Sequence, residues 1–317
     1  MLFITATRVG DAVLSMGLLN HFIEKHPGIQ ITIACGPVAA PLFEAVPGLE
    51  RLVVLEKKPL SMHWPQFWRS CFGHIWDVLV DLRGSPISFT VFARERYRRG
   101  DHRSLEHRVR QLAAVVNQID NPPAPKIWTN KDHQNVAERY IPNGGPVLAI
   151  GPTANWAAKI WPGEKFSELI RRMTGPEGIM PGARVAIFGA DNERPIAQSV
   201  IDSVPQEKCI DLLGKIDLLS ISACLERCAL YIGNDSGLMH IAAASGVPTL
   251  GLFGPSQDVY YAPWGSYCDV VRSVPYMDIF PADFDHRTSG TLMESLSVEA
   301  VEDAAQRLWQ RAGEGVA

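Results

Sequence analysis

Ten residues, Tyr231-Ile232-Gly233-Asn234-Asp235-Ser236-Gly237-Leu238-Met239-His240, hold the densest chemistry in the sequence. An apolar run from Cys228 to Ile232 reads as a strand, breaks at Gly233, turns through small and polar residues, and gives way to a helical stretch from Leu238 to Ser245. The first N–H groups of a helix have no partner within it and carry the positive end of its dipole. Ser236 and Gly237 are therefore placed to cradle a phosphate, the glycine letting the anion come close. His240 lies one turn beyond Ser236 on the same side of the helix, and Asp235 is positioned to cap the helix start. A capped strand-to-helix turn that binds nothing has the same pattern.

Other residues could join such a site. Asp11, in Arg8-Val9-Gly10-Asp11, follows a short apolar strand (2–7) and opens a helix (12–25). Ligands of doubly wound sheets sit beyond the carboxyl ends of the strands, which puts Asp11 at the rim of a cleft; a first-turn aspartate at a helix start reads the same way. Lys159 sits in a loop, 151–162, between apolar side chains that include Trp156 and Trp161, which favours a phosphate partner over simple solvation. Asp191 and Glu193 follow the strand 184–188, where an acid commonly accepts hydrogen bonds from ribose hydroxyls, although no GxGxxG precedes them. From Arg94 to Arg110 seven arginines, with His102 and His107, face only Glu95, Asp101 and Glu106. Arginine forks suit phosphate and carboxylate, so this stretch reads as a site for a polyanionic acceptor or an anionic bilayer, or as a solvated, internally paired face. In the segment 275–290, Asp278, Asp283, Asp285 and His286 match no metal-ligand spacing, and an acidic loop is the simpler reading.

The elements that must position these residues alternate strand and helix. Strands are expected at 2–7, 30–36, 51–56 and 77–82, then at 146–150, 184–188, 209–213, 228–232, 249–253 and 269–272. Helices are expected between them, including an aromatic-rich one at 64–75, read as core rather than membrane-facing, and others at 105–119, 132–140 and 297–311. Such alternation implies parallel sheets covered by helices on both faces. Pro142-Asn143-Gly144-Gly145-Pro146 interrupts it just before a fresh sheet begins, which divides the 317 residues into domains 1–142 and 143–317. A second small-residue turn, Gly254-Pro255-Ser256, falls on the same sheet edge as the phosphate turn. The net charge of −4 gives no global attraction to nucleic acid. Six scattered cysteines lack zinc-site spacing and read as reduced core residues. Neither a secretory leader nor a bilayer-length apolar run is visible, so the expected location is the cytoplasm, with membrane contact at most peripheral.

Taken in order, Arg8-Val9-Gly10-Asp11, Lys159 before Trp161-Pro162, Phe188-Gly189-Ala190-Asp191, Leu212-Leu213-Gly214-Lys215, and Asn234 to His240 with Phe253-Gly254-Pro255 resemble the heptosyltransferase family of glycosyltransferases, and they span nearly the whole chain. The resemblance implies a GT-B fold, α/β, with two Rossmann-like domains facing a cleft. It also implies inverting, metal-independent transfer of heptose from ADP-heptose to a lipid-linked acceptor of the lipopolysaccharide inner core. No cofactor is expected beyond the ADP-sugar substrate. Carried over, Asp11 is the general base and Lys159 the catalytic cation at the diphosphate. Ser236 and Gly237, with Leu238, form the phosphate turn; Asp191 holds the ribose; the backbone near Leu213 and Gly214 meets the adenine; Asp235 and His240 contact sugar or phosphate; Thr153 and Glu193 complete the donor set. Arg8, Gly10, Arg98, Arg99 and Arg103 are the acceptor candidates. Where glutamate is expected at the ribose the chain has Asp191, which leaves Glu193 as the alternative, and the segment after Val274 lacks the cysteines of many relatives. A nucleotide-sugar epimerase or a non-catalytic nucleotide-binding protein of the same architecture remain the competing readings.

Overall fold

A computed structural model describes residues 1–56, 62–100, 106–280, 284–285 and 290–314. Two compact units divide at Trp128/Thr129. The first holds a sheet of five parallel strands, β1 (Leu2–Ile4), β2 (Ile31–Cys35), β3 (Leu49–Val54), β4 (Ile75–Asp81) and β5 (Phe92–Arg98), in the order β3-β2-β1-β4-β5. The second holds six, β6 (Val147–Gly151), β7 (Arg184–Ile187), β8 (Cys209–Asp211), β9 (Leu230–Asn234), β10 (Thr249–Phe253) and β11 (Cys268–Arg272), in the order β11-β10-β9-β6-β7-β8. Both orders reverse once, between β1 and β4 and between β6 and β9. At such a reversal the two adjoining crossovers run to opposite sides and leave a crevice beyond the strand ends.

The central strands are continuous apolar runs because both faces are covered: every residue of β2, β6, β9 and β10 is buried. In the second unit Trp161, Phe166, Leu148, Ile150 and Ile232 belong to one core. In the first, Leu2, Ile4, Leu79 and Phe67 do, with Trp64, Trp68 and Trp76 packed against it. The aromatic helix is thus core-facing through Phe67, but it ends at Cys71, and Phe72 beyond it is exposed.

Three expectations need correction. The second unit begins at Thr129, not 143, because helix Lys131–Tyr140 packs against helix Leu218–Leu225. Arg227 further ties the segment after that helix, its Nε donating to Ile141 O at 2.6 Å and a terminal nitrogen to Asn143 Oδ1 at 2.6 Å. The head of the arginine-rich stretch is edge strand β5, in which Phe92, Arg94 and Arg98 are exposed. The helix expected over 105–119 is only Arg108–Ala113 plus a 3-10 turn, Ala114–Val116, ended by Asn117 in the left-handed region at φ 57°. Asp101, His102, Arg103, Asp283 and His286 lie outside the described residues. Among the described residues no helix is long and apolar enough to cross a membrane.

Candidate active site

In the second unit the site grows from the reversal between β6 and β9. The loop after β6 is pinned through Trp161, which is fully buried: its N–H donates to Asn234 Oδ1 at 3.0 Å, and its indole N–H donates to Leu296 O at 3.0 Å. A 3-10 turn, Ala157–Lys159, precedes it, and Leu292 N–H donates to Ala158 O at 3.0 Å. Lys159 is thereby held over the end of β9, where its Nζ lies 2.5 Å from Asp235 Oδ2. Asp235 is 6% exposed, so this is a nearly buried ion pair. Asp235 is therefore not the helix cap. Helix Gly237–Ala244 starts from Ser236 as N-cap with no side chain on its first amides, because the carboxylate of Asp235 is engaged by the lysine. Open amides, the ammonium beside them and two buried polar atoms without partners, Asn234 Nδ2 and Ser236 Oγ, are the kinds of donor that can serve a multiply charged oxyanion. His240 is buried on the same helix, 4% exposed.

The remaining donor candidates form a second cluster at the ends of β6, β7 and β8. Thr153 Oγ1 donates to Glu193 Oε2 at 2.7 Å, and Ala190 N–H donates to the same oxygen at 2.9 Å. Glu193 thus braces the turn, while Asp191 is exposed. Asp191 backs onto Gly214, whose φ is +66° and where a Cβ would collide with Asp191, so glycine is required there. The Leu213 side chain is in the core, its N–H donates to Asp211 Oδ1 at 3.1 Å, and its carbonyl accepts from Arg194 at 3.1 Å.

The first unit has its own cavity, about 270 Å³, at the reversal between β1 and β4. Arg8, Asp11, Arg83, Arg99 and Arg108 line it. Asp11 stands in the first turn of helix Val9–Lys25. Its Oδ1 is buried without a hydrogen bond, and Arg108 Nε is 3.9 Å away. Arg83 is oriented by the turn after β4: buried Asp81 accepts from Arg83 N–H at 2.9 Å and from Ser85 N–H at 2.7 Å. Its guanidinium lies 5.0 Å from the Trp64 ring centre, and one terminal nitrogen is buried and unpartnered. Burial lowers the Arg83 pKa from its usual range and Asp81 opposes the shift.

The family model of glycosyltransferase family 9 (heptosyltransferase) matches residues 87–278, more than half of the chain. The chain belongs to this family. It is 23% identical over 311 residues to lipooligosaccharide heptosyltransferase 2 of Haemophilus influenzae, covering 86% of this chain and 88% of that one. Among solved structures, a family 9 glycosyl transferase from Veillonella parvula aligns with a TM-score of 0.78 and 20% identity, covering 98% and 96% of the two chains. E. coli ADP-heptose lps heptosyltransferase II aligns at 0.74 and 19%, covering 98% and 99%. The fold is GT-B, and the protein is a glycosyltransferase of the heptosyltransferase family.

Of the sequence candidates in this family 9 chain, the structure brings together Lys159 with Asp235, Thr153 with Glu193, Asp191 with Gly214, and Arg8, Asp11 and Arg99 around one cavity. Gly10 and Arg98 do not line that cavity; Arg98 stacks over Phe89 at 4.1 Å from the ring centre. Arg83 and Arg108 were not in the acceptor set. The signal for Arg83 was available: it follows its strand end as Arg8 follows β1, at the neighbouring strand.

Proposed function

We propose that the chain transfers heptose from ADP-heptose to a lipid-linked acceptor of the lipopolysaccharide inner core, by a metal-independent displacement that inverts the anomeric centre. The acceptor hydroxyl oxygen attacks C1 of the heptose while Asp11 takes its proton, and the bond from C1 to the ADP oxygen breaks. Negative charge then builds on the leaving diphosphate. In this scheme Lys159 and the open amides of helix Gly237–Ala244 meet that charge, an arrangement that stabilises a transition state without reorganisation. The observation that carries this reading is the Lys159–Asp235 pair beside a helix start with no side-chain cap. Asp235 keeps the lysine in place, and a diphosphate satisfies the amides that nothing else caps.

The arginines around Asp11 support an acceptor with anionic groups, because guanidinium forks pair with carboxylate and phosphate. Asp191, exposed at its turn, is the ribose acceptor in this scheme, and Glu193 shapes the turn. The acceptor's lipid anchor makes the cytoplasmic face of the inner membrane the working location, with peripheral contact. Incubation with ADP-heptose and a Kdo-lipid A acceptor, with and without EDTA, should give a heptosylated product of unchanged yield. Absence of product from folded protein overturns the substrate assignment, and loss of product with EDTA overturns metal independence. An epimerised donor formed without acceptor points to the epimerase instead.

A further inference from the structure

We infer that Tyr231 is a positioning residue for the phosphate turn: its buried hydroxyl donates to Ser236 Oγ, so that the Ser236 proton is directed out at a donor phosphate oxygen. The inference rests on the donor reading above and adds to it a residue that touches no substrate.

Tyr231 lies in the middle of β9 and is fully buried. Its phenol oxygen passes over two glycines that are partners in register on neighbouring strands, Gly151 and Gly233. A Cβ on Gly151 would run into that oxygen, and one on Gly233 would come within 2.5 Å of it. Glycine weakens a strand interior through its backbone entropy and its missing side chain. Two of them facing each other at the central strand pair mark a place where something must pass, and the Tyr231 hydroxyl is what passes. A leucine would fill the core of this strand without reaching so far.

The destination is Ser236. Burial pushes the Tyr231 pKa up, so the hydroxyl stays protonated and is a donor, and the Ser236 side chain stands close enough to oppose that push in part. Yet Tyr231 Oη and Ser236 Oγ are both buried without a well-formed hydrogen bond. Buried hydroxyls are almost always paired, and two unpaired ones side by side beneath an anion-shaped helix start point to a bond completed when the anion arrives. Ser236 has one proton. Once it points to a phosphate oxygen, its lone pairs face the phenol, and Tyr231 O–H, Ser236 O–H and phosphate form a chain whose links polarise one another. Asn234 Nδ2, the third buried unpartnered polar atom of the turn, adds a second donor to the same pocket.

Tyr231→Phe keeps the ring and removes only the oxygen. In the ligand-free protein Tm should hold or rise, because an unpaired buried hydroxyl is lost. The thermal shift produced by ADP should shrink, ADP affinity should weaken by roughly tenfold, and kcat should fall at least as much. Tyr231→Phe added to Ser236→Ala should cost nothing further, and Ser236→Thr should restore sensitivity to the tyrosine. A Tyr231→Phe protein with lowered Tm but unchanged ADP affinity and kcat overturns the inference, as do additive losses in the double variant. Wild-type protein that binds ADP while Tyr231→Phe is indistinguishable sinks this inference alone. Wild-type protein that does not bind ADP sinks the donor reading and this inference together.

Discussion

Replacing Lys159 by methionine keeps the aliphatic stem and removes the charge, leaving Asp235, 6% exposed, without its counter-ion. At 2.5 Å two unit charges attract by roughly 6–7 kcal/mol at an effective dielectric constant of about 20. Most of that attraction offsets the cost of desolvating both groups, so the pair itself adds little to stability. Breaking it is different. A buried charge left without its partner costs about 3–5 kcal/mol, and because the Lys159 side chain is 21% exposed the low end, about 3 kcal/mol, applies. For a unit the size of Thr129–Ala317 this lowers the melting transition by roughly 6–12 °C. Adding Asp235→Asn removes the stranded charge and should recover most of the loss. The cation missing from the phosphate site should weaken ADP binding by roughly ten- to a hundredfold in both variants. Calorimetric melting and titration calorimetry with ADP read the two effects separately. A Lys159→Met protein that melts like wild type, or a double variant no more stable than the single one, refutes the pair; unchanged ADP affinity refutes the role of the ammonium.

Asp11→Asn should lower kcat by about 10²–10⁴ and leave ADP affinity intact, measured by product formation and calorimetry; full turnover removes Asp11 from the chemistry. Arg83→Ala should raise the acceptor KM without altering ADP affinity, and an unaltered KM refutes its part in acceptor binding. In Asp211 and Asp217 burial pushes the carboxyl pKa up from 3.8, but hydrogen bonds from Arg194 and Lys215 on the first, and from Ser220 on the second, outweigh it and hold both below that value. Their contribution to stability is thus present above about pH 4 and is lost as pH falls through the folded-state pKa values. Urea midpoints should be flat at neutral pH and drop below pH 4, and Asp217→Ala, which loses a helix cap worth about 1 kcal/mol, should differ from wild type far less at pH 3 than at pH 7. Burial pushes the thiols of Cys35, Cys224 and Cys268 up to about 12, so the native protein should resist iodoacetamide at pH 8 and react fully in denaturant; rapid native labelling contradicts the packing.

Strand-helix alternation was legible because both sheets are parallel and their central strands are unbroken apolar runs. Strand β5 was not: it lies at the sheet edge with no residue fully buried, Phe92, Arg94, Glu95 and Arg98 being exposed, and in one dimension it reads as a cluster of charge. The strand-to-helix turn after β9 could be read locally, since a helix start needs only adjacent residues. Its electrostatics could not, because Lys159 and Asp235 meet across 76 positions and the meeting takes away the cap that Asp235 was expected to provide. Glu193 was visible as an acid at a strand end, but only Thr153 and the Ala190 amide reveal it as a brace. Tyr231 looked like strand core, and the two glycines that make room for its hydroxyl carry meaning only once β6 and β9 are paired.

That pairing also has a consequence for how the protein comes into being. β6 and β9 are neighbours in space, yet two other strands and their crossovers are synthesised between them. Such distant closure is slow relative to local structure formation, since loop entropy must be met before any contact forms. A chain emerging from the ribosome therefore has no Lys159–Asp235 pair until the residues beyond β9 are free to dock, and a fragment truncated anywhere before Asn234 holds no half-strength version of it.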